Sequence, residues 1–193
     1  MRGIMGQATS NDTPLIRAAL ASDAPAVAAL VNSFAARNIM LPRSEEQVLA
    51  ALERFVIAEI DGELVGCGSL IALTPALAEI RSLAVAVGQQ GSGLGGVIVS
   101  ALLVMARELG YDQVCALTLR PAFFERQGFE IVDRWGLTPK IWQECVFCPK
   151  FHHCDETAML MNISEPAAAG HEPRPLSWRV NGGLPVFRLL PTT

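Results

Sequence analysis

The sequence predicts an α/β protein, more narrowly an α+β one, on two observations. Residues 77–110 have the pattern of a strand, a glycine loop and a helix, because an apolar run is followed by glycines and then by apolar residues at helical spacing. Asp61-Gly62 lies between two apolar runs and favours a tight β-hairpin. Together with the flanking patterns, these segments give the element order β-α-α-β-β-β-α-β-α-β.

The amino-terminal half contains the first five of these elements. Residues 15–18 are a first strand, and Ser22-Asp23 with Pro25 begins a helix through a capping side chain and a proline in the first turn. Ser44 to Gln47 has the form of a capping box and begins a second helix that runs through Leu52. The hairpin strands are residues 55–60 and 64–73.

The carboxyl-terminal half contains the other five elements. They are, in order, a buried strand over 78–85 with its helix over 94–109, a strand over 114–119, a short helix over 122–127, and a last strand over 129–135. Gly110 is placed to end the long helix. Residues 1–14 are expected to be a flexible terminus.

Composition narrows the class of protein. The chain has 193 residues, 51% hydrophobic and 18% charged, so it is long enough for one globular domain with appendages. A net charge of −4 without a basic run argues against nucleic acid, and no apolar run is long enough for a membrane span or suited to export. An odd number of cysteines, five, argues for a reducing compartment, so we expect a cytoplasmic location and a small soluble substrate.

The glycine loop predicts a phosphate site, since a glycine-rich turn before a helix leaves backbone N–H groups free at the positive end of the helix dipole. Gly91, Gly93 and Gly96 formally satisfy the dinucleotide fingerprint, but no carboxylate follows at the end of the next strand. Gly96 is followed by Val97 and not by lysine, so the nucleotide-triphosphate loop fails as well. A glycine turn used only for close packing remains an alternative.

Gln90-Gly91-Ser92-Gly93-Leu94-Gly95 resembles the coenzyme A loop of the GNAT superfamily of N-acetyltransferases, and residues 122–129 are similar to its short helix ending in Gly-Phe. The resemblance implies a mixed, mostly antiparallel sheet flanked by helices, and acetyl-CoA as co-substrate. The residues that it implies in cofactor binding are Leu83, Ala84, Val85, Gln90, Gly91, Ser92, Gly93, Leu94, Gly95, Gly96 and Phe124.

Residues 15–162 also resemble the single-domain N-acetylglutamate synthases of the ArgA type. The stretches that carry this are 41–44, 65–68, 78–85, 123–129 and the Cys-x-x-Cys-Pro-Lys-Phe extension. The resemblance implies transfer of acetyl to the α-amino group of L-glutamate, the first step of arginine biosynthesis. Alternatives are an acetyltransferase for another small amine, an antibiotic or an arsenical, and a catalytically silent coenzyme A sensor.

Three charged residues are candidates for the acceptor site. Glu79 is the candidate base, because an amine is mostly protonated at neutral pH and must lose a proton to attack; its alternative role is a structural pair with Arg81, which shares its strand face. Arg81 and Arg43 are candidates to hold an acceptor carboxylate through paired hydrogen bonds. For Arg43, a solvated surface position is the alternative.

Phe124 departs from the superfamily pattern. Many members carry a tyrosine there that protonates the leaving thiolate. A phenylalanine has no proton to give, so we expect either water in that role or a thiolate that leaves unprotonated. The only tyrosine, Tyr111, lies just past the long helix and is poorly placed to substitute.

Cysteines and histidines are concentrated in an extension over 138–163. Cys145, Cys148 and Cys154, with His152 or His153, have the look of a structural zinc site. Packing of reduced thiols is the equal alternative, as it is the expected role of Cys67 and Cys115. The sequence thus divides into a domain over 15–137, this extension, and a proline-rich tail over 164–193 that we expect to be loosely attached; a homodimer is left open.

Overall fold

The computed structural model describes residues 13–148 and 150–164, together with the backbone of 179–181 and 184–187. The strands are β1 (Leu15–Ala18), β2 (Phe55–Ile60), β3 (Glu63–Ala72), β4 (Leu77–Val85), β5 (Gln113–Thr118), β6 (Glu130–Val132), β7 (Thr157–Asn162), β8 (Arg179–Asn181) and β9 (Leu184–Phe187). The helices are α1 (Ala24–Ala35), α2 (Glu45–Ala50), α3 (Leu94–Glu108), α4 (Pro121–Glu125) and α5 (Thr138–Gln143), with short 3-10 turns between them.

The strands form one sheet in the order β6-β7-β5-β4-β3-β2-β1-β9-β8. Every neighbouring pair is antiparallel except β4 with β5, which is parallel. A mixed, mostly antiparallel sheet flanked by helices is the predicted fold class, which is confirmed. The ten predicted elements also appear in the predicted order.

Helices cover the sheet on both faces because neighbouring strand residues point to opposite sides. Val56 and Ala58 of β2 pack in the core cluster under α3, whereas Phe55 and Ile57 pack in the cluster under α1 and α2. Helix α3 approaches the sheet closely at Gly68, where a Cβ atom would lie 2.9 Å from Leu102 Cδ1. The sheet is therefore a buried central layer that can hold side chains in fixed positions.

Local signals in the first half act largely as predicted. The hairpin turn has positive φ at both Asp61 and Gly62, as a primed turn requires. Ser44 and Gln47 form the predicted capping box at the start of α2. The Asp23 side chain, however, does not cap α1: it accepts hydrogen bonds from the Leu20 N–H and from Arg17, so it fixes the preceding turn instead.

Two predictions for the second half are wrong in part. The last predicted strand, 129–135, is shorter, because β6 ends at Val132 and a 3-10 turn follows. The extension over 138–163, predicted as a segment separate from the domain over 15–137 and packed on its core, instead contributes its final strand, β7, to the sheet, where it pairs with both β5 and β6. The extension therefore completes the sheet.

The proline-rich tail lies mostly outside the described residues, as do residues 1–12. Within it, β8 and β9 form a hairpin whose β9 pairs with β1, so this part of the tail has regular backbone. The loose attachment that the sequence predicts stays a prediction for the remainder. Among the described helices, none combines the length and the apolar character that a membrane crossing requires.

Candidate active site

A gap opens between β4 and β5 halfway along the sheet. The two strands pair only at Leu77–Gln113, Ala78–Val114 and Glu79–Cys115. Beyond this point β4 continues to Val85 without pairing to β5. Within the described residues, the backbone N–H and C=O groups on that edge of β4 consequently have no strand partner, which leaves them accessible to a ligand.

A β-bulge on β4 lies directly beyond the last β4–β5 pair. In the β3–β4 ladder, Cys67 pairs with Ala84 and Ser69 with Arg81, so two residues of β4 oppose one of β3. Ser82 in the bulge has φ 52, an uncommon value for a residue with a side chain. Because bulges bend and twist the strand that carries them, this one accounts for the divergence of β4 from β5.

The gap leads into a cavity of about 1110 Å³. Its walls include β4 from Glu79 to Val85, the glycine loop, and residues 117–124 on the β5 side. Seven lysine or arginine and four acidic side chains line it, although the whole chain has a net charge of −4. A cavity of this charge suits an anionic ligand.

The glycine loop forms one end of the cavity and presents its backbone to it. Gly91 has φ 83 and Gly93 has φ 88, with no atom within 4 Å of a Cβ built on either. In the part of the chain that the structure describes, no group accepts a hydrogen bond from the N–H of Gly91, Ser92 or Gly93. Two hydrogen bonds stabilise the loop, one from Gln90 Nε2 to the Val85 carbonyl and one from Ser92 Oγ to the Gln89 carbonyl. These features fit the pyrophosphate of coenzyme A, as the sequence predicts.

Phe124 reaches the cavity from α4 but is a core residue. It is buried and makes edge-to-face contacts with Phe123 and Phe129, at ring centroid distances of 5.1 and 5.2 Å. Tyr111 packs at the edge of the core cluster and does not line the cavity. Neither ring can therefore deliver a proton to a leaving thiolate in the gap.

Four charged side chains form a closed ring at the other end of the cavity. The Glu79 carboxylate, only 3% exposed, accepts a hydrogen bond from Arg81 Nε and lies 2.8 Å from Lys140 Nζ. Arg81 Nη1 in turn contacts Glu144, and Lys140 Nζ lies 2.8 Å from Glu144 Oε2. The pairing of Glu79 with Arg81, expected from their shared strand face, is thus present, and Lys140 and Glu144 add to it.

The ring keeps its charges despite burial. Burial alone would lower the pKa of Lys140, but the Glu79 and Glu144 carboxylates raise it above the ordinary lysine value. Burial likewise opposes ionisation of Glu144, yet Lys140, Arg81 and Arg43 together bring the pKa of Glu144 below its usual value. Lys140 therefore stays a cation and Glu144 an anion at neutral pH.

Arg43 lines the same end of the cavity from the loop before α2. The backbone of this residue is anchored by one side chain on α1: Asn32 Oδ1 accepts from the Arg43 N–H at 3.0 Å, and Asn32 Nδ2 donates to the Arg43 carbonyl at 2.9 Å. The guanidinium is close enough for its charge to act on Glu144. Arg43 and Arg81, predicted separately, thus face one space.

The predicted metal site is not supported. Cys145, Cys148 and Cys154 line one small cavity beside Lys140. Nevertheless, the described residues include no group of three histidine, cysteine or acidic side chains placed to hold a metal ion, and His152 and His153 do not complete one. Burial raises the pKa of the Cys145 thiol and takes those of the core residues Cys67 and Cys115 to about 12, which fits the alternative role of packed, reduced thiols.

Sequence analysis missed Lys140, Glu144 and Asn32. The first two are four residues apart just after Pro139, a spacing that puts them on one face of a short helix and could have been recognised. The contact of Lys140 with Glu79 and that of Glu144 with Arg81 depend on the path of the chain from β6 to β7, which no local pattern encodes. Asn32 gives no signal that distinguishes it from a surface residue of α1.

Comparison with known proteins decides the family. A model of the GNAT acetyltransferase domain matches residues 51–131. An N-acetyltransferase of Chlorobaculum tepidum is 35% identical over 148 residues, which are 77% of this chain and 96% of that protein. The chain belongs to the GNAT acetyltransferases. Within this family, an amino-acid acetyltransferase of Mycobacterium tuberculosis is 37% identical over 134 residues, 68% of this chain and 76% of the relative.

The acetyltransferase also has a structural neighbour that was solved with a bound coenzyme and a bound acetylated amino acid. N-acetylglutamate synthase from Neisseria gonorrhoeae, complexed with coenzyme A and N-acetyl-glutamate, superposes with a TM-score of 0.69 at 25% identity; the match covers 79% of this chain and 35% of that one. The protein is thus an acyltransferase of the acetyl-CoA-dependent amino-acid N-acetyltransferase group.

Proposed function

We propose that this acetyltransferase moves acetyl from acetyl-CoA to the α-amino group of L-glutamate or a close relative such as glutamine. The observation that carries the proposal is that Arg81 and Lys140 pair with the buried Glu79, while Arg43 lines the same cavity and its charge acts on Glu144. An amino-acid acceptor brings a carboxylate that loses its water on binding, and cations here offset that loss. The N-acetylglutamate synthase relatives supply the name of the acceptor.

In this proposal the two ends of the cavity have separate tasks. The N–H groups of 91–93 bind the pyrophosphate, and the free edge of β4 from Leu83 to Val85 pairs with the pantetheine arm, so that the thioester lies in the gap near Glu79. Leu94 and Gly96 begin the helix whose dipole assists the phosphate site. The acceptor enters from the Arg43 side.

Chemistry then consists of direct attack in a ternary complex. The acceptor ammonium loses a proton to Glu79, directly or through water, and the free amine attacks the acetyl carbonyl carbon. A C–N bond forms and the C–S bond breaks. The second proton that the nitrogen then loses reaches the thiolate through water, because Phe124 has none to give, and Glu79 releases the first proton to solvent.

Glu79 needs help for this role because both of its oxygens already face cations. A carboxylate oxygen has two lone-pair directions, so each can accept one further hydrogen bond. A relay through one water meets this requirement without breaking either ion pair. Arg81 and Lys140 thereby fix the orientation of the base.

The reaction is tested by incubating the protein with acetyl-CoA and each amino acid and identifying the acetylated product by mass spectrometry. We expect N-acetylglutamate, or N-acetylglutamine, in excess over all other products. A dominant product with another acceptor class would replace the assignment, and coenzyme A binding without turnover of any amine would favour the sensor alternative.

A further inference from the structure

Glu144 is a carboxylate in a position where the proposed acceptor needs cations. It contacts Arg81 Nη1 and lies 2.8 Å from Lys140 Nζ, and the charge of Arg43 acts on it as well. The same three cations are the ones available to an acceptor carboxylate. Glu144 and the acceptor therefore compete for one set of partners.

Exposure distinguishes the two carboxylates of the ring. The Glu79 side chain is 3% exposed and belongs to the central strand β4, whereas the Glu144 side chain is 28% exposed. Glu144 also lies just past the end of α5, where its backbone leaves helical geometry at φ −139 and a 3-10 turn follows. Of the two, Glu144 is the one that can turn out into the cavity without opening the core.

We propose that the Glu144 carboxylate occupies the seat of the acceptor's carboxylate in the acceptor-free enzyme, and so sets the affinity and charge preference for acceptors. This inference rests on the proposed function, because it assumes an acceptor that bears a carboxylate. An incoming carboxylate replaces Glu144 on Arg81 and Lys140, and the released side chain is hydrated at the cavity wall. The exchange keeps the buried cations paired at every stage, which avoids the large cost of a lone buried charge.

We call Glu144 a placeholder because it occupies the position of the acceptor's carboxylate until the acceptor binds, and this role has a measurable consequence. An acceptor that displaces an internal carboxylate binds less tightly than it would to free cations, since part of its interaction energy replaces contacts that were already made. Removing the internal carboxylate should therefore strengthen binding of anionic ligands. Loss of an ordinary supporting residue would weaken it.

The experiment measures binding of glutarate and of its uncharged analogue glutaramide by calorimetry, with coenzyme A present. For Glu144→Gln we expect the glutarate Kd to fall by about 5-fold or more, the scale of one partly exposed charge contact, with glutaramide unchanged. Asp155→Asn is the matched control, because Asp155 also lines the cavity but pairs with the exposed Lys150. We expect less than about a 2-fold change there.

Every outcome decides between the alternatives. An unchanged or weaker glutarate Kd in Glu144→Gln, an equal gain in Asp155→Asn, or no glutarate binding in any variant overturns the inference. Glu144→Ala serves as a second variant if the first does not fold. Glutamate turnover by the unmodified enzyme is measured separately. A gain in glutarate affinity without glutamate turnover would overturn the proposed function but would still support the placeholder role of Glu144.

Discussion

The Lys140 Nζ atom lies 2.8 Å from the Glu79 carboxylate, and both side chains are buried. Lys140 belongs to the cysteine-rich extension and Glu79 to the central strand next to the gap. The ion pair thus joins the extension to the proposed base. The ion pair also makes the extension part of the site, since the position of Lys140 fixes one oxygen of Glu79.

This pair leads to the prediction for Glu79→Gln. We expect turnover to fall by about 10²–10⁴-fold, the usual contribution of a general base. The variant should also lose stability, because the buried Lys140 loses one of its two carboxylate partners and keeps only Glu144, at a cost of about 1–3 kcal/mol. Steady-state kinetics at saturating substrates and thermal unfolding measure the two effects.

The double variant Glu79→Gln with Lys140→Met separates the two effects. Removing both charges should restore much of the stability that either single change loses, because the double variant leaves one buried cation, Arg81, paired with one carboxylate, Glu144. Turnover should stay low. Near-normal turnover in folded Glu79→Gln would return Glu79 to a structural role.

Gly93→Ala tests the phosphate seat. Alanine at a φ of 88 is strained, and in the proposed complex its methyl group would extend into the space that the pyrophosphate occupies. We expect the KM for acetyl-CoA to rise about 10-fold or more, the loss of at least one charge-assisted hydrogen bond, measured with a thiol-release assay. Gly110→Ala is a matched control, because Gly110 has φ 79 and open space at the far end of α3. Equal effects of the two changes on KM would exclude the phosphate role.

Arg43→Lys tests the acceptor side. Lysine keeps the charge but replaces a planar guanidinium with a compact ammonium group, so the acceptor carboxylate loses its paired hydrogen bonds. We expect the KM for glutamate to rise about 10-fold with a smaller change in turnover, consistent with the loss of one charge-assisted bond. Arg107→Lys, on the exposed end of α3, provides the control. A response as small as that of the control would make Arg43 a solvated surface residue.

Asp23→Asn tests the turn before α1. Partial burial opposes ionisation of Asp23, but hydrogen bonds from Arg17 and the Leu20 N–H lower the pKa of its carboxyl below 3.8. A lowered folded pKa gives stability that is present above the unfolded value and disappears as the pH falls through the folded one. We expect a loss of about 1–3 kcal/mol at pH 7 that shrinks below about pH 4. Chemical unfolding at several pH values measures it.

Glu53→Gln is the control for this stability measurement. Glu53 is 81% exposed and pairs with Arg54 at 3.4 Å, a surface contact that contributes little. Its stability should match the parent within about 0.5 kcal/mol. A loss in Asp23→Asn that persists undiminished at low pH would contradict the ion-pair explanation.

Local chemistry explains what the sequence could predict. The Asp61-Gly62 turn, the Ser44–Gln47 capping box and the glycine loop each depend on residues within a few positions of one another, and all three are present in the structure. Sharing of one strand face by Glu79 and Arg81 follows from the two-residue period of a strand. These signals were sufficient for the fold class and the family.

Long-range packing explains what the sequence could not predict. Insertion of β7 between β5 and β6 depends on pairing partners far apart in the chain, and it is this path that brings Lys140 and Glu144 to Glu79. The bulge at Ser82 likewise could not be predicted, because no glycine marks its position in the sequence. In the extension, cysteine spacing suggested a metal, whereas the structure brings the neighbouring charged residues into the site.

A comparison of acceptors tests the central claim, that the cations around Glu79 select an amino acid that bears carboxylates. The values of kcat/KM are measured for L-glutamate, a polyamine, an aminoglycoside and a lysine-rich peptide under one set of conditions, with acetyl-CoA saturating. Because Arg43, Arg81 and Lys140 line the acceptor end, we expect L-glutamate to be preferred by about 10²-fold or more, the scale of two charge contacts. A clear preference for any of the cationic acceptors would contradict the account.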